Sequence, residues 1–318
     1  MQQILSCGIG LCTLMSSTSI ISSELWLRIE EKLALFHSMP PLQADAIQKR
    51  DEKLKVLHTY YSNAIDGNHL SLSETESIIT EGLTIEGKSL PEHLEAVNTA
   101  KAFELMKTLA QEGAPISHVT IQDIHEVVAV PEDAGKYRRT NVRGSVKAHP
   151  AWTEVMKLMK QLIFNVEQSR LHPIETAAFF YHQFVKIHPF TDNNGRVARL
   201  LVCLYLTEHN YPAVILRKER QKKYTQLVKA ADDGDLGPFS AYIAKAVDES
   251  LSLSLSAYGG PDELIPTEKI AEYTPYSSDD LRFWAEQGLL DAVQVEHTWY
   301  TSRRALERYF ALCEEEDG

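Results

Sequence analysis

The sequence predicts a mainly α-helical protein with one small β-hairpin and a small second unit at the C-terminal end. From Ser23 onward, apolar residues recur at spacings of three and four, which is typical of amphipathic helices. Residues 135–147 depart from this pattern, because β-branched and basic residues surround a Gly-Ser step, and they are predicted to form a hairpin. The Gly-Gly-Pro breaker at residues 259–261 separates the second unit from the rest.

Composition excludes several classes of protein. The 318 residues are 44% hydrophobic, enough for one sizeable core and a smaller one. Lys and Arg number 32 against 44 Asp and Glu, so the net charge is −12 and the whole chain carries no electrostatic footprint for nucleic acid or anionic lipid. The four cysteines form no CxxC pair, which favours neither a disulfide framework nor a zinc site. We therefore expect a reducing, cytoplasmic location.

The elements follow in order along the chain. Residues 1–22 are apolar and Ser/Thr-rich with no Lys or Arg, which fits neither a signal peptide nor a membrane span, and they are predicted to be a disordered extension. The clearest helices cover residues 98–112, 173–187 and 196–209. The Ser-Leu alternation at 250–256 has the period of a strand but follows a helical segment, so it is predicted to end a helix.

The segment HPFTDNNGRVARLL, residues 188–201, carries the most chemical information. His188 continues the apolar face of the preceding helix and points inward, and Pro189 then ends that helix. The residues Asn193, Asn194 and Gly195 tolerate left-handed backbone angles, and such turns aim successive amides at one point. A second helix starts there, so its N-terminus adds partial positive charge beside this nest.

Charged side chains complete this predicted polyphosphate site. Arg196 and Arg199 project from one side of the new helix, three residues apart. Asp192 offers a carboxylate to a magnesium ion, and His188 offers an imidazole as a base. Taken singly, these residues are also compatible with a core histidine, an ordinary turn and a solvated helix face.

HPFTDNNGRVAR resembles the signature of the Fic family, His-x-Phe-x-(Asp/Glu)-Gly-Asn-Gly-Arg-x-x-Arg, and the likeness extends over residues 23–256. Further matches are YYSNAIDGNHLSLSET, GKSLPEHLEAVN, AGKYR, LHPIE and AADDGDLGPF. The resemblance implies a Fic-type helical bundle that transfers AMP from ATP to a Ser, Thr or Tyr hydroxyl of a target protein. Residues 23–113 would form an N-terminal helical region, 114–256 the Fic core and 257–263 a linker.

The same resemblance implies roles for individual residues. His188 would be the general base, Asp192 would hold Mg²⁺, and the ATP phosphates would be bound by the run Asp192, Asn193, Asn194, Gly195, Arg196, Val197, Ala198 and Arg199. Asn193 departs from the family's glycine, so its side chain is expected to hinder phosphate approach. The hairpin would be a flap that pairs with the target through its main chain, at Val142, Arg143, Gly144 and Ser145. Tyr224 and Asp232 would contact the adenine.

Upstream, SNAIDGN resembles the family's inhibitory motif, Ser/Thr-x-x-x-Glu-Gly/Asn. Ser62 and Asp66 lie one helical turn apart, on a helix that Gly67 can terminate. By the resemblance, Asp66 pairs with Arg199 and occupies the place of the γ-phosphate. Asp is one methylene shorter than the family's Glu, so we expect reduced reach and a weaker brake. A plain helix cap is the alternative.

The C-terminal unit, residues 264–318, resembles a small winged helix of the excisionase and MerR-like type, followed by an acidic tail. Charge argues against DNA binding by it, because the predicted recognition helix carries Asp279, Asp280 and Glu286 against the single Arg282. We expect a protein-contact or regulatory module.

Three functions stay open at this point. The leading one is a protein adenylyltransferase, with self-modification and homodimerisation as open expectations. The second is removal of AMP from a modified target, with Asp66 positioning water. The third is a non-catalytic nucleotide-binding regulator that acts through the C-terminal unit.

Overall fold

The structure is a computed structural model that describes residues 21–129, 134–142, 149–217 and 221–316, with the backbone alone at 221–225 and 313–316. Its helical body contains ten helices in the described part of the chain. They are α1 Ser23–Ser38, α2 Ala44–Ile65, α3 Leu72–Glu81, α4 Leu90–Gln111, α5 His118–Val128, α6 Val155–Glu167, α7 Pro173–Ile187, α8 Asn194–Glu208, α9 Gln221–Asp232 and α10 Gly237–Leu255.

Local sequence signals set the helix ends. Ser71 and Ser89 each form a capping box with the glutamate three residues later, at the starts of α3 and α4. Gly82 stops α3 because its left-handed φ of 69° costs a glycine little. The three helices predicted most clearly are confirmed, and so is the helical Ser-Leu segment, which belongs to α10.

Helix α8 lies at the centre of the body. Every residue from Arg196 to Leu206 is buried, and the helix packs against α4, α5 and α7. One core joins α1, α2 and α4 to the later helices, so residues 23–113 and 114–256 do not separate physically. Because α8 is enclosed on all sides, its amino end and the arginines of its first turns are held rigidly, as a binding site requires.

The C-terminal unit contains β1 Ile265–Pro266, α11 Thr267–Ala271, α12 Ser278–Gln287, β2 Ala292–Val295, β3 Thr298–Thr301 and α13 Arg303–Glu316. Its antiparallel sheet has the order β1-β3-β2, with Val295 paired to Thr298 across the tight hairpin. Ile270, Leu281 and Leu290 form its own small core. The order of elements is the one expected from the sequence, and the winged-helix relationship stays a prediction.

The tip of the β2–β3 hairpin contacts the helical body. The Glu296 amide donates to the Tyr61 hydroxyl of α2 at 3.2 Å, and the Glu296 carboxylate accepts from the Leu72 amide of α3 at 3.3 Å. Val293 of β2 belongs to the main core. The predicted linker 257–263 is not an extended tether, because two short 3₁₀ turns lie there and the buried Asp262 pairs with Arg304 at 2.7 Å.

Two boundaries differ from the sequence predictions. Residues 1–20 lie outside the described residues, but Ile21 is buried in the core and the Ser22 hydroxyl caps α1, so these two do not belong to a disordered extension. The described part of the predicted hairpin, 135–142, contains no strand, and the rest of it falls among the residues that are not described. Within the described ranges, no helix has the length and apolarity that a membrane crossing needs.

Candidate active site

The loop between α7 and α8 presents backbone amides at the amino end of α8. Asn193 precedes the helix in a left-handed conformation, with φ 62°, while Asn194 and Gly195 are already helical, so only the first of the three predicted turn residues is left-handed. The first intrahelical bond runs from the Val197 amide to the Asn193 carbonyl at 3.0 Å. The three amides before Val197 therefore lack an acceptor within the helix and can bind an anion.

The side chain of Asn194 holds this loop from inside. Its Oδ1 accepts from the Phe190 amide at 2.9 Å, and its Nδ2 donates to the Phe190 carbonyl at 3.0 Å. The Phe190 ring is fully buried and stacks on His125 with the ring centroids 3.6 Å apart. Asn194 can therefore contribute its amide to an anion, whereas its side chain is 2% exposed and committed to the loop.

His188 caps the C-terminal end of α7. Its backbone is left-handed, with φ 53° and ψ 63°, a conformation that costs a non-glycine residue about 1–2 kcal/mol. Its main chain is held by the Phe184 carbonyl, which accepts from the His188 amide at 2.9 Å, and by Arg138, whose Nε donates to the His188 carbonyl at 2.7 Å. The imidazole is half-buried rather than enclosed, as a base that meets a substrate must be.

The surroundings of His188 keep its imidazole neutral. Burial lowers the pKa of His188 from 6.5 to about 4, the charges of His149 and Arg138 act in the same direction, and the Val185 backbone and the Asp192 carboxylate oppose them. At neutral pH the ring is unprotonated and able to accept a proton.

Arg199 makes the tightest contacts at the site. Its guanidinium is 3% exposed and donates to the Ser62 hydroxyl at 2.8 Å, to the Ser62 carbonyl at 2.9 Å and to Asp66 Oδ2 at 2.6 Å. The expected loss of reach at Asp66 is wrong, because Asp66 does not continue α2 but caps it, with φ −88° and ψ 5°. The cap conformation brings the shorter carboxylate to Arg199.

Arg196 faces two carboxylates. Its Nε lies 3.4 Å from Asp66 Oδ2 and its Nη2 lies 3.3 Å from Glu95 Oε1, and Glu95 also accepts from Asn68 at 2.9 Å. The guanidinium is almost fully buried, whereas the side chains of Asp66 and Glu95 are 31% and 35% exposed. Solvent therefore reaches the acids more easily than the arginines, which is the arrangement expected where an incoming anion displaces a carboxylate.

Gly195 packs closely against this cluster. A Cβ atom at this position would lie 3.1 Å from Arg199 Nη1 and 3.2 Å from Asp66 Oδ1. Such contacts are tighter than usual for a Cβ atom, so a side chain there would require the Arg199 and Asp66 side chains to shift by a few tenths of an ångström.

The fit of a magnesium ion rests on Asp192. This side chain is exposed, and its Oδ1 accepts from the Asn193 amide at 2.7 Å. No group of three or more His, Cys, Asp or Glu residues that could hold a metal occurs in the described part of the chain. One carboxylate suits a magnesium ion carried on substrate phosphates, because Mg²⁺ retains several waters and needs few protein ligands.

The remaining predicted site residues have different surroundings. The side chains of Val197 and Ala198 are buried in the core, so only their backbone could face a ligand. Asp232 Oδ1 lies 3.1 Å from His182 Nε2 and 3.4 Å from Lys186 Nζ, so its carboxylate already joins α9 to α7. Four further predicted residues lie outside what is described, namely Tyr224 in its side chain and Arg143, Gly144 and Ser145 of the flap. Val142 is a half-buried loop residue.

Sequence reasoning missed three residues of the site, Glu95, Arg138 and His149. Glu95 lies in the segment GKSLPEHLEAVN and Arg138 in AGKYR, both of which match the family, so those matches were the available signal. His149 stacks on His188 with ring centroids 4.1 Å apart, and no local pattern in the sequence indicates this contact.

Comparison with known proteins identifies relatives of this chain. The model of the Fic/DOC family matches residues 115–206. The chain is 33% identical over 244 residues to "Protein adenylyltransferase Fic" of Nematostella vectensis, which covers 74% of this chain and 57% of that protein. The chain thus spans little more than half of that relative's length.

Solved structures extend the comparison. Fic-1 (aa134 - 508) from C. elegans is 31% identical, with a TM-score of 0.67 and coverage of 74% of this chain and 72% of that one. A Fic domain containing signaling protein from Bacteroides thetaiotaomicron shares the fold, with a TM-score of 0.68 at 24% identity, over 74% of this chain and 98% of that one. The fold is that of a helical protein whose buried helix α8 presents backbone amides and two buried arginines at its amino end. The chain belongs to the Fic family.

Proposed function

We propose that this protein is an adenylyltransferase that transfers AMP from ATP to a Ser, Thr or Tyr hydroxyl of a target protein. The observation that carries the proposal is the pair of buried arginines, Arg196 and Arg199, at the amino end of α8, next to a neutral and accessible His188. Relatives at about one-third identity are named protein adenylyltransferase Fic, which supports the same activity.

Each of these residues has a separate role in the proposed transfer reaction. The target hydroxyl gives its proton to the imidazole of His188 as its oxygen attacks the α-phosphate, and the bond from that phosphate to the β-phosphate oxygen breaks, so that pyrophosphate leaves. Arg196, Arg199 and the first amides of α8 hold the β- and γ-phosphates and stabilise the charge of the leaving group. When bound, a magnesium ion at Asp192 would neutralise phosphate charge.

We propose further that Asp66 inhibits this reaction. Its carboxylate accepts from Arg199 Nη2 at 2.6 Å, the donor that a γ-phosphate oxygen would use. A carboxylate and a phosphate cannot both take the same guanidinium edge at full strength. Ser62 supports the inhibited state, since its hydroxyl accepts from Arg199 Nε and its carbonyl accepts from Nη2, the nitrogen that also bonds Asp66.

Labelled ATP tests the activity directly. Purified full-length protein, with Asp66→Gly to remove the proposed brake, is incubated with Mg²⁺ and ATP labelled on the α-phosphate, and label on protein is counted. We expect transfer to a target or to the chain itself, abolished by His188→Ala. His297→Ala, at an exposed position of the β2–β3 hairpin whose side chain makes no described contact, is the matched control and should leave transfer unchanged. Absence of label with every target mixture would contradict the proposal.

One observation favours the reverse reaction as a second candidate. The Asp66 carboxylate is one-third exposed and lies beside Gly195, so it could hold a water molecule near the phosphates. Hydrolysis of AMP from a pre-modified target that depends on Asp66 would support this candidate. Nucleotide binding without either reaction would instead indicate the non-catalytic regulator.

A further inference from the structure

Arg138, which lies fifty residues before His188, contacts the loop that carries the proposed base. Arg138 is 3% exposed, and its guanidinium donates to four main-chain carbonyls. Two of them belong to the end of α7, His188 at 2.7 Å and Ile187 at 3.4 Å, and the other two belong to Thr140 at 2.9 Å and Pro150 at 2.6 Å. Its own amide donates to the Pro189 carbonyl at 2.9 Å.

These bonds satisfy backbone carbonyls at the C-terminal end of α7. The last carbonyls of a helix have no partner within the helix, and a cation there also complements the helix dipole. His188 is, in addition, one of four described non-glycine residues with a positive φ. A left-handed residue keeps that conformation only where its surroundings hold it, and Arg138 binds the carbonyl before it, its own carbonyl and the one after it.

The imidazole itself is held from another side. His149 stacks on the His188 ring, with centroids 4.1 Å apart and an angle of 20° between the rings, and its Nδ1 lies 3.2 Å from the Lys186 carbonyl. Its neighbour Pro150 is the residue whose carbonyl accepts from Arg138 at 2.6 Å. The guanidinium therefore fixes both the backbone of the base and the segment that carries the stacked ring.

We propose that Arg138 and His149 are positioning residues for His188, Arg138 through the backbone and His149 through the ring. This inference rests on the proposed function of His188 as the base. Neither residue has to touch the substrate. Their joint effect is to hold the imidazole at one orientation toward the attacking hydroxyl, where an error of about 1 Å costs on the order of a hundredfold in rate.

Charge supports the same assignment. The groups that face His188 are His149 and Arg138, which disfavour its protonation, and the Val185 backbone and Asp192, which favour it. Removing His149 or Arg138 should therefore raise the pKa of His188 as well as loosen its geometry.

Transfer kinetics test the proposal in full-length protein that carries Asp66→Gly. We expect Arg138→Gln to lower kcat about a hundredfold with the KM for ATP changed less than threefold, because phosphate binding does not use this contact. Arg138→Lys, which keeps the charge but reaches fewer carbonyls, should recover part of the loss. Arg139→Gln, an exposed neighbour, is the matched control and should leave both constants unchanged.

Substitution of His149 separates stacking from charge and does not depend on the folding of the Arg138 variants. His149→Phe retains a ring for the stack, so kcat at pH 8 should stay within threefold, whereas His149→Leu should lower it about tenfold. In both, the acid limb of the kcat profile should move to higher pH. An unchanged kcat in both His149→Leu and a folded Arg138→Gln would overturn the proposal. A rise in the KM for ATP as large as the fall in kcat would overturn it as well.

A second readout is independent of transfer. Nuclear magnetic resonance of histidine-labelled protein gives the pKa of His188 in the parent chain and in His149→Phe. A higher pKa in the variant supports the assignment, and an unchanged pKa overturns the part assigned to the charge of His149. If the parent chain transfers no AMP, the proposed function fails, while this titration still decides whether His149 acts on His188.

Discussion

Removal of the Asp66 carboxylate should release the proposed brake by an amount that the structure allows us to bound. The change under test is Asp66→Gly, which deletes the 2.6 Å bond to Arg199 and the 3.4 Å approach to Arg196. A hydrogen bond to a charged group contributes about 1.5–3 kcal/mol net. Because the Asp66 side chain is 31% exposed, we take the lower half of that range.

The free energy of the Asp66–Arg199 bond affects the rate because the Asp66 carboxylate competes with the γ-phosphate of ATP for Arg199. About 1.5–2 kcal/mol corresponds to roughly 10- to 30-fold, since each 1.4 kcal/mol is a factor of ten. We therefore expect initial rates of AMP transfer at subsaturating ATP to rise 10- to 30-fold in Asp66→Gly. Asp66→Asn keeps a polar acceptor but removes the charge, so its rate of transfer should lie between those of the parent chain and Asp66→Gly. The rate of Asp66→Glu should stay near that of the parent chain.

The assay combines transfer with thermal unfolding. Label from α-labelled ATP is counted over time, and Tm is measured with and without ATP and Mg²⁺. A ligand that binds the folded state raises stability in proportion to the logarithm of its concentration over Kd, so ATP should raise Tm more in Asp66→Gly than in the parent. An equal ATP-induced shift in both, together with an unchanged rate, would refute the competition between Asp66 and the phosphate.

Three further predictions concern titratable side chains that are wholly or partly buried. Burial lowers the pKa of His58 from 6.5 to about 3, so the unfolded state binds a proton at a pH where the folded state does not. The contribution of His58 to the free energy of unfolding is complete above about pH 6.5 and falls by roughly 2 kcal/mol between pH 6.5 and 5. Urea unfolding at several pH values should show this decrease in the parent chain and not in His58→Phe. Asp248 is fully buried and bonded to Arg28 at 3.0 and 2.9 Å, so Asp248→Ala should lower the free energy of unfolding by about 3–5 kcal/mol; a loss below 1 kcal/mol would contradict this role. Glu95→Gln should raise transfer about two- to fivefold, because a half-exposed partner of Arg196 contributes only about 0.2–1 kcal/mol, and a lower rate would instead indicate that Glu95 assists the reaction.

The structural features predicted correctly from the sequence are those that depend on a few neighbouring residues. The two helices around HPFTDNNGRVAR, the left-handed Asn193 and the helix cap at Asp66 and Gly67 all depend on a few adjacent residues, and the structure contains each of them. The Asp66–Arg199 contact between distant segments was reached through the family resemblance and not through periodicity or spacing.

The missed contacts depend on tertiary packing. Glu95 and Arg138 come from segments about 100 and 50 residues from their partners Arg196 and His188, and His149 meets His188 by stacking, which has no periodic signature. The reach of Asp66 was underestimated because a side-chain length argument assumes helical backbone, whereas a cap residue turns away from the helix. Such geometry is set by φ and ψ and cannot be inferred from the residue type.

Binding of phosphates in the place of the Asp66 carboxylate is the central claim. A crystal structure of Asp66→Gly with a non-hydrolysable ATP analogue and Mg²⁺ tests it most directly. The claim predicts a γ-phosphate oxygen about 2.7–2.9 Å from Arg199 Nη2, with phosphate density against the first amides of α8 and the magnesium ion on Asp192. Nucleotide density elsewhere in the fold, or phosphates that leave Arg199 bonded only to Ser62, would contradict it.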